Sequence, residues 1–250
     1  GYGALLTALV LVFVATIWPG YDAQVTPQDD PDLWVLQTGA GGQYGRVNTE
    51  VLELETVKPV NNPSGVVQTE ESTLVFVDGN RRFAVLDPGE PADLSSKENE
   101  DLIASPEGTA RAQVGSKHIL FVTDMGAVFS APIEAPDAHL PLNPDADVEV
   151  EEGEAVPVYL ADAAAITDQD QVVAVRQESP EDARIVIVDG ATGETSYDKL
   201  VELEVGDRPQ VSLVDGKWVV LNRTDGLLWV EGQADPTSID PELSPTLRAP

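Results

Sequence analysis

No cysteine occurs among the 250 residues, which excludes a disulfide framework and thiolate metal ligands. Basic residues are scarce: 14 Lys and Arg stand against 44 Asp and Glu, a net charge of −30. A field of that sign repels nucleic acid and anionic lipid and suits basic partners and divalent cations. It also keeps an exposed domain soluble with no further role. Only two histidines are present, His118 and His139, so nucleophile–His–acid catalysis would have to run through one of them, and no G-x-S-x-G elbow exists. His118 flanks an apolar run and His139 lies in APDAHLPLNP, positions that suit a strand edge and a solvated loop. Carboxylate pairs of the glycosidase kind are too easily found among 44 acids to be informative. These absences point away from an enzyme and away from any resident cofactor, calcium excepted.

What the chain does have begins with ALLTALVLVFVATIW, residues 4–18, in a segment from Gly1 to Tyr21 that carries no charge. A helix of roughly 20 residues rising about 1.5 Å each spans a ~30 Å hydrocarbon core. Tyr2 stands near one end and Trp18 and Tyr21 near the other, at the headgroup level that amphipathic rings favour, and Pro19-Gly20 ends the helix. Residues 1–20 therefore read as a transmembrane helix contacting the bilayer through 4–18, and 21–32 as a linker. A cleaved signal peptide and a buried core helix compete with this reading. Against the signal peptide, no basic segment precedes the run and no small-x-small cleavage pattern follows closely. Asp22, Asp29, Asp30 and Asp32 come directly after the span, and the first basic residue is Arg46. This places the bulk of the chain outside a single-pass cell membrane. A chain opening at Gly1 just before a span is expected to have lost a short segment to processing or disorder.

Beyond Pro31 no 3.6-residue apolar period is sustained. Short apolar runs instead recur between Gly, Asp, Asn and Pro clusters, the mark of an all-β chain. Five of them share one form, apolar strand, polar turn, apolar strand: LWVLQTGAGGQYGRVNTE, LVFVDGNRRFAVLDPG, ILFVTDMGAVFSAPI, VVAVRQESPEDARIVIVDG and WVVLNRTDGLLWVEG. They start near Leu33, Leu74, Ile119, Val172 and Trp218, at the spacing of four-stranded propeller blades. A further strand fits before four of the hairpins, in SGVVQTE, ARAQVG, AAAITDQ and PQVSLVDG, and outer strands fit in VLELETV and KLVELEVG. Residues 33–250 are thus expected to form a β-propeller-like array of about five four-stranded blades, since stacked sheets cover one another's faces. Tandem β-sandwiches are the alternative, but they have no reason to repeat a hairpin at this interval. ELSPTLRAP resembles GDRPQVSLVDG and ASPEGTARAQVG, the openings of earlier units, so a sixth unit is expected to begin there and continue past Pro250.

YDAQVTPQDDPDLWVLQTGAGGQYGRVNTEVLEL, directly after the apolar run, resembles the start of large actinobacterial membrane-anchored surface proteins with propeller-like repeats and C-terminal fibronectin type III or Ig-like domains. Tyr21-Asp22, Leu33-Trp34-Val35 and Gly45-Arg46-Val47-Asn48 carry the resemblance, which covers mainly residues 20–60. It implies a cell-surface role in adhesion, envelope organisation or signalling, and no catalytic residues.

The chemistry-bearing candidates are few. In NPDADVEVEEGE, Asn143, Asp145, Asp147 and Glu149 alternate and Glu154 falls at position twelve of a calcium-loop count, but Val148 occupies the position that needs glycine. Calcium and a solvated acidic strand both fit. GAGGQYG leads into a strand and not a helix, so it is a turn and no phosphate cradle. Trp34, Trp218 and Trp229 all lie in repeat hairpins, where filling the space between sheets suits them better than a carbohydrate platform. If the five hairpins are equivalent, Trp34, Val75, Leu120, Val173 and Val219 should be buried alike, and the turns at 41–44, 79–82, 124–126, 177–182 and 223–226 should line one face. Arg81, Arg82 and Arg223 would give that face scarce positive charge for an acidic partner or a neighbouring copy. The function so indicated is a membrane-anchored interaction or structural scaffold at the cell surface, binding another envelope protein or copies of itself. A sensory or ligand-binding receptor is the alternative.

Overall fold

Val-, Ile- and Phe-rich segments of four to eight residues separated by Asp-Gly and Asn-rich turns favour antiparallel meanders, because a β-branched side chain packs on a pleated surface and a left-handed turn residue reverses the chain. The computed structural model describes residues 32–39, 41–69, 72–87, 89–96, 100–143, 158–240, 242 and 245–247. The chain divides into the units Gly1–Asp32 and Leu33–Pro250. The expected transmembrane helix, most of its linker, and Tyr2, Trp18 and Tyr21 lie outside the described residues. No described helix is long and apolar enough to cross a membrane.

The described strands form five sheets. Sheet 1 contains β1 (Asp32–Gln37), β2 (Gln43–Asn48) and β3 (Glu53–Pro59). Sheet 2 contains β4 (Pro63–Gln68), β5 (Thr73–Val77), β6 (Arg82–Leu86) and β7 (Ile103–Ala104). Sheet 3 contains β8 (Thr109–Val114), β9 (His118–Thr123), β10 (Val128–Pro132) and β11 (Leu140–Pro141). Sheet 4 contains β12 (Ala163–Ile166), β13 (Gln171–Gln177), β14 (Asp182–Asp189) and β15 (Thr195–Glu202). Sheet 5 contains β16 (Gln210–Val214), β17 (Lys217–Asn222), β18 (Leu227–Val230) and β19 (Thr237–Ser238). In every sheet spatial order follows chain order. Four sheets have the four strands expected. Sheet 1 has three among the described residues, its edge strand β1 being the first strand of the expected hairpin.

Alternate residues of each strand face opposite neighbours, and four apolar layers join the five sheets in series among the described residues. Trp34 and Tyr44 of sheet 1 pack on Val75, Val77, Ala84 and Leu86 of sheet 2. The other flank of sheet 2, Leu74, Phe76 and Phe83, meets Ile119, Phe121 and Ala131 of sheet 3. Leu120, Val122 and Val128 of sheet 3 meet Val172, Ala174, Val186 and Val188 of sheet 4. Val173, Val175, Ile185 and Ile187 of sheet 4 meet Val211, Leu213, Trp218 and Val220 of sheet 5. Each fully buried Val, Leu, Ile or Phe side chain contributes about 1.5–3 kcal/mol relative to exposure. Sheets 2, 3 and 4 are covered on both flanks, an arrangement that separately packed sandwiches do not have.

Trp34, Val75, Leu120, Val173 and Val219 are all buried, yet they are not all equivalent. Trp34, Leu120 and Val173 face the following sheet, whereas Val75 faces back onto sheet 1. The two-residue side-chain period makes a one-residue offset in counting from the turn reverse the flank. Among the described residues no apolar layer covers the far flank of sheet 1, where Leu33 is 52% and Leu54 56% exposed.

Candidate interaction face

In an antiparallel meander the second-to-third strand turn lies at the same end as the first strand's entry and the fourth strand's exit. The turns 78–81, 124–127, 178–181 and 223–226 therefore lie at the end where chain passes from sheet to sheet, and in the three described strands of sheet 1 the β1–β2 turn 38–42 lies at the same end as the exit of β3. Hydrogen bonds tie each turn to such a passage. Val60 N–H donates to Gly42 O at 2.9 Å, Asp78 N–H to Asn62 O at 2.9 Å, Asp124 N–H to Gly108 O at 2.9 Å and Ala161 N–H to Gly126 O at 2.8 Å. In sheet 4 the Gln177 side chain donates to Leu203 O at 3.2 Å and accepts from Val205 N–H at 2.7 Å. In sheet 5 Thr224 Oγ1 donates to Asp207 O at 3.0 Å. Gly126 has φ +84° and abuts the Ala161 carbonyl where a Cβ would stand, so this turn admits no side chain. The five turns thus occupy one end of the array, each held against a sheet-to-sheet passage. Met125 projects from the third turn, 78% exposed.

Charge on this face departs from the sequence expectation. Arg82 lies at the start of β6, half-buried, and its guanidinium is committed to the Asp78 carboxylate, with Nε 3.1 Å from Oδ2. Its charge is compensated locally, because the turn returns the chain at hydrogen-bonding distance. Arg81 is exposed, and among the described residues no carboxylate lies within ion-pair distance of it. Arg223 is half-buried with Nε buried and unbonded. Within the five turns, Asp78, Asp124, Glu178, Glu181 and Asp225 outnumber these two cations. Beside the first turn opens a cleft of about 440 Å³ lined by Thr38, Gly39, Gly42, Asn61 and Ser95 among others, all of them uncharged.

Of the calcium candidates, Asn143 is half-buried, while Asp145, Asp147, Glu149 and Glu154 lie outside the described residues. No group of three metal-ligating acidic or His side chains occurs among the described residues.

His118 opens β9, the strand-end position expected of it, whereas His139 is half-buried and not a solvated loop residue. His139 stacks edge-on against Phe121 at 5.5 Å between centroids, and burial lowers its pKa from 6.5. The His118 side chain is 13% exposed with Nδ1 3.3 Å from Asp170 Oδ2, outside hydrogen-bond geometry. Asp170, at the opposite end of the array, adopts φ 58° and accepts from Lys117 N–H at 3.0 Å and His118 N–H at 3.1 Å. It therefore latches the first turn of sheet 4 to that of sheet 3. The room for it comes from Gly115, where a Cβ would stand 2.7 Å from Thr167 O, and Gly190, where a Cβ would stand 2.7 Å from Asp170 O. The sequence reading missed this latch; its trace is the second Asp of TDQDQ, a residue type that tolerates the left-handed region.

All three tryptophans pack against layers between sheets, Trp229 less deeply than the other two. Trp34 and Trp218 are each 4% exposed, Trp34 lies 5.8 Å from Tyr44 and Trp218 Nε1 donates to Tyr197 Oη at 2.9 Å. Trp229 is half-buried against the same layer as Trp218. Tyr44, which donates to Ala92 O, has its pKa pushed up to about 12, chiefly by burial and then by Asp93 and Asp101.

No family model matches the chain, and no curated relative matches it. Among solved structures it superposes on the β-propeller domain of Cps50 (Swd1) from Myceliophteria thermophila with a TM-score of 0.50 and 13% identity, over 83% of this chain and 65% of that one. It superposes on Hsv2 from Kluyveromyces marxianus with a TM-score of 0.51 and 14% identity, over 79% and 58%. The chain therefore spans about six-tenths of the length of these structures. At such identities the likeness is one of fold: an all-β, propeller-like array.

Proposed function

We propose that the chain is a membrane-anchored, extracytoplasmic scaffold whose end face of five turns binds another protein of the cell envelope. The observation that carries this reading is the tethering of every turn to a sheet-to-sheet passage, which holds a broad loop surface rigid on a layered core. Rigid presentation lowers the ordering cost of association. Arg81 and Arg223 stand in this reading as the cations available to a partner's carboxylates, and the surrounding turn acids suit its basic groups. The anchoring half rests on the uncharged segment 1–21 and on Trp18 and Tyr21 at its end.

Met125, the single methionine of the 250 residues, makes a direct test available. Photo-methionine at this position in membranes of the source cell should give one discrete cross-linked adduct. A photoreactive residue replacing exposed Lys117, at the opposite end, should give none. Adducts from Lys117 alone would overturn the face. Release of the intact chain from membranes by alkaline carbonate would overturn the anchor.

A further inference from the structure

Stacked propeller sheets ordinarily end in short, protected outer strands, and three of the four four-stranded sheets obey this: β7, β11 and β19 have two residues each. Sheet 4 does not. Its outer strand β15 runs for eight residues and ends the sheet. The ladder fixes which of its groups point outward. Glu178 N–H donates to Asp182 O across the β13–β14 turn, so Asp182 and, by alternation, Arg184 and Val186 turn their backbone groups toward β13. Their partners in β15, Glu202, Leu200 and Asp198, consequently turn theirs to the open edge. None of the three is bonded through its backbone among the described residues.

The usual edge protections are weak here. Lys199, which could fend off another strand, lies with Nζ 5.1 Å from the Tyr197 ring centroid, folded onto its own sheet. Asp198 is held by Arg184 at 2.6 Å. No proline or glycine interrupts β15, and its register is regular from Tyr197 to Glu202. On the flank toward sheet 3, whose outer strand is only two residues long, Leu200 is 60% exposed.

We infer that β15 is a strand-addition site that takes an extended, basic segment of a partner protein. Strand pairing supplies affinity through the main chain, and side chains of one parity supply specificity. Charge selects the partner. From Glu194 to Glu204 the chain carries Glu194, Glu202 and Glu204, besides Asp198 already paired with Arg184, against Lys199 alone, so alternating Lys or Arg in the added strand meets acids. A second copy would set like charges across the pair on bodies of net charge −30. This surface is separate from the five-turn face and stands or falls without it.

The test uses the intact chain in detergent and two blocked heptapeptides, one alternating Lys with Val and one alternating Glu with Val. The Lys peptide should bind and slow hydrogen exchange of the Leu200 and Glu202 amides, and the Glu peptide should do neither. Leu200→Pro removes an outward N–H without touching the β14 ladder, which proline tolerates at an edge; it should leave the melting temperature nearly unchanged and abolish binding. Asp198→Lys with Glu202→Lys should reverse the preference between the peptides by at least about tenfold. Three results would overturn the proposal: outward amides already protected in the free protein, equal binding of both peptides, or self-association that Leu200→Pro abolishes and the Lys peptide fails to displace.

Discussion

Replacement of Asp170 separates hydrogen bonding from backbone strain, because the residue accepts two backbone amides across sheets 3 and 4 while holding φ 58°. Asp170→Asn keeps one acceptor and a side chain tolerant of that φ, and should cost about 1 kcal/mol. Asp170→Gly loses both acceptors but relieves the strain. Each charge-assisted bond is worth about 1.5–3 kcal/mol, but the carboxylate is 15% exposed and water takes up part of the loss, so about 2–3 kcal/mol is expected in total. Asp170→Ala adds about 1–2 kcal/mol of left-handed strain to that. Since about 1 kcal/mol shifts the midpoint of a domain this size by roughly 2–4 °C, the alanine variant should melt roughly 6–20 °C lower and the asparagine variant only a few degrees lower. Thermal unfolding followed by tryptophan fluorescence measures the series, and amide exchange at Lys117 locates it. Alanine and glycine variants equal to wild type, or an asparagine variant as unstable as alanine, would refute the latch.

Phe121 is wholly buried between sheets 2 and 3, 5.6 Å from Phe83, so Phe121→Ala should cost about 3–5 kcal/mol by urea titration, whereas Leu33→Ala, at an uncovered flank, should cost under about 0.5 kcal/mol. Burial lowers the His139 pKa below 6.5, so the unfolded chain takes up its proton first. Stability should therefore fall as pH drops below about 6.5, and a pH series of melting temperatures on His139→Gln should be flatter there. Crowded carboxylates should make stability rise with sodium chloride. If calcium at matched ionic strength gives no gain beyond magnesium, the alternation from Asn143 to Glu154 holds no specific site.

Much of the architecture was legible because its signals are local. Two apolar runs around a polar turn in LVFVDGNRRFAVL or WVVLNRTDGLLWV give the hairpin, and Asp-Gly gives its reversal, within about a dozen residues. The four described strands that precede hairpins, β4, β8, β12 and β16, could be placed for the same reason. Flank assignment was not legible: Val75 and Leu120 look alike in sequence but face backward and forward, since parity depends on how each hairpin seats on its neighbours. The candidate face was legible as a set of turns but not as a charge surface. Arg82 looks free in GNRRF and is held by Asp78, and His139 looks solvated in its Pro-rich segment and stacks on Phe121.

The amino-acid sequence by itself determined that the chain repeats an antiparallel hairpin five times, carries a large acidic excess and opens with an uncharged apolar run, because each of these is a property of composition or of neighbours along the chain. Only the tertiary structure decided which strand flanks are covered, that Asp170 joins turns more than 50 residues apart, that the five hairpin turns share one end, and that the outer strand β15 of sheet 4 runs eight residues where that of sheet 3 runs two. Those features depend on how sheets stack and on where each strand stops relative to the next sheet. Such distances are set by packing across the array and leave no period in the sequence.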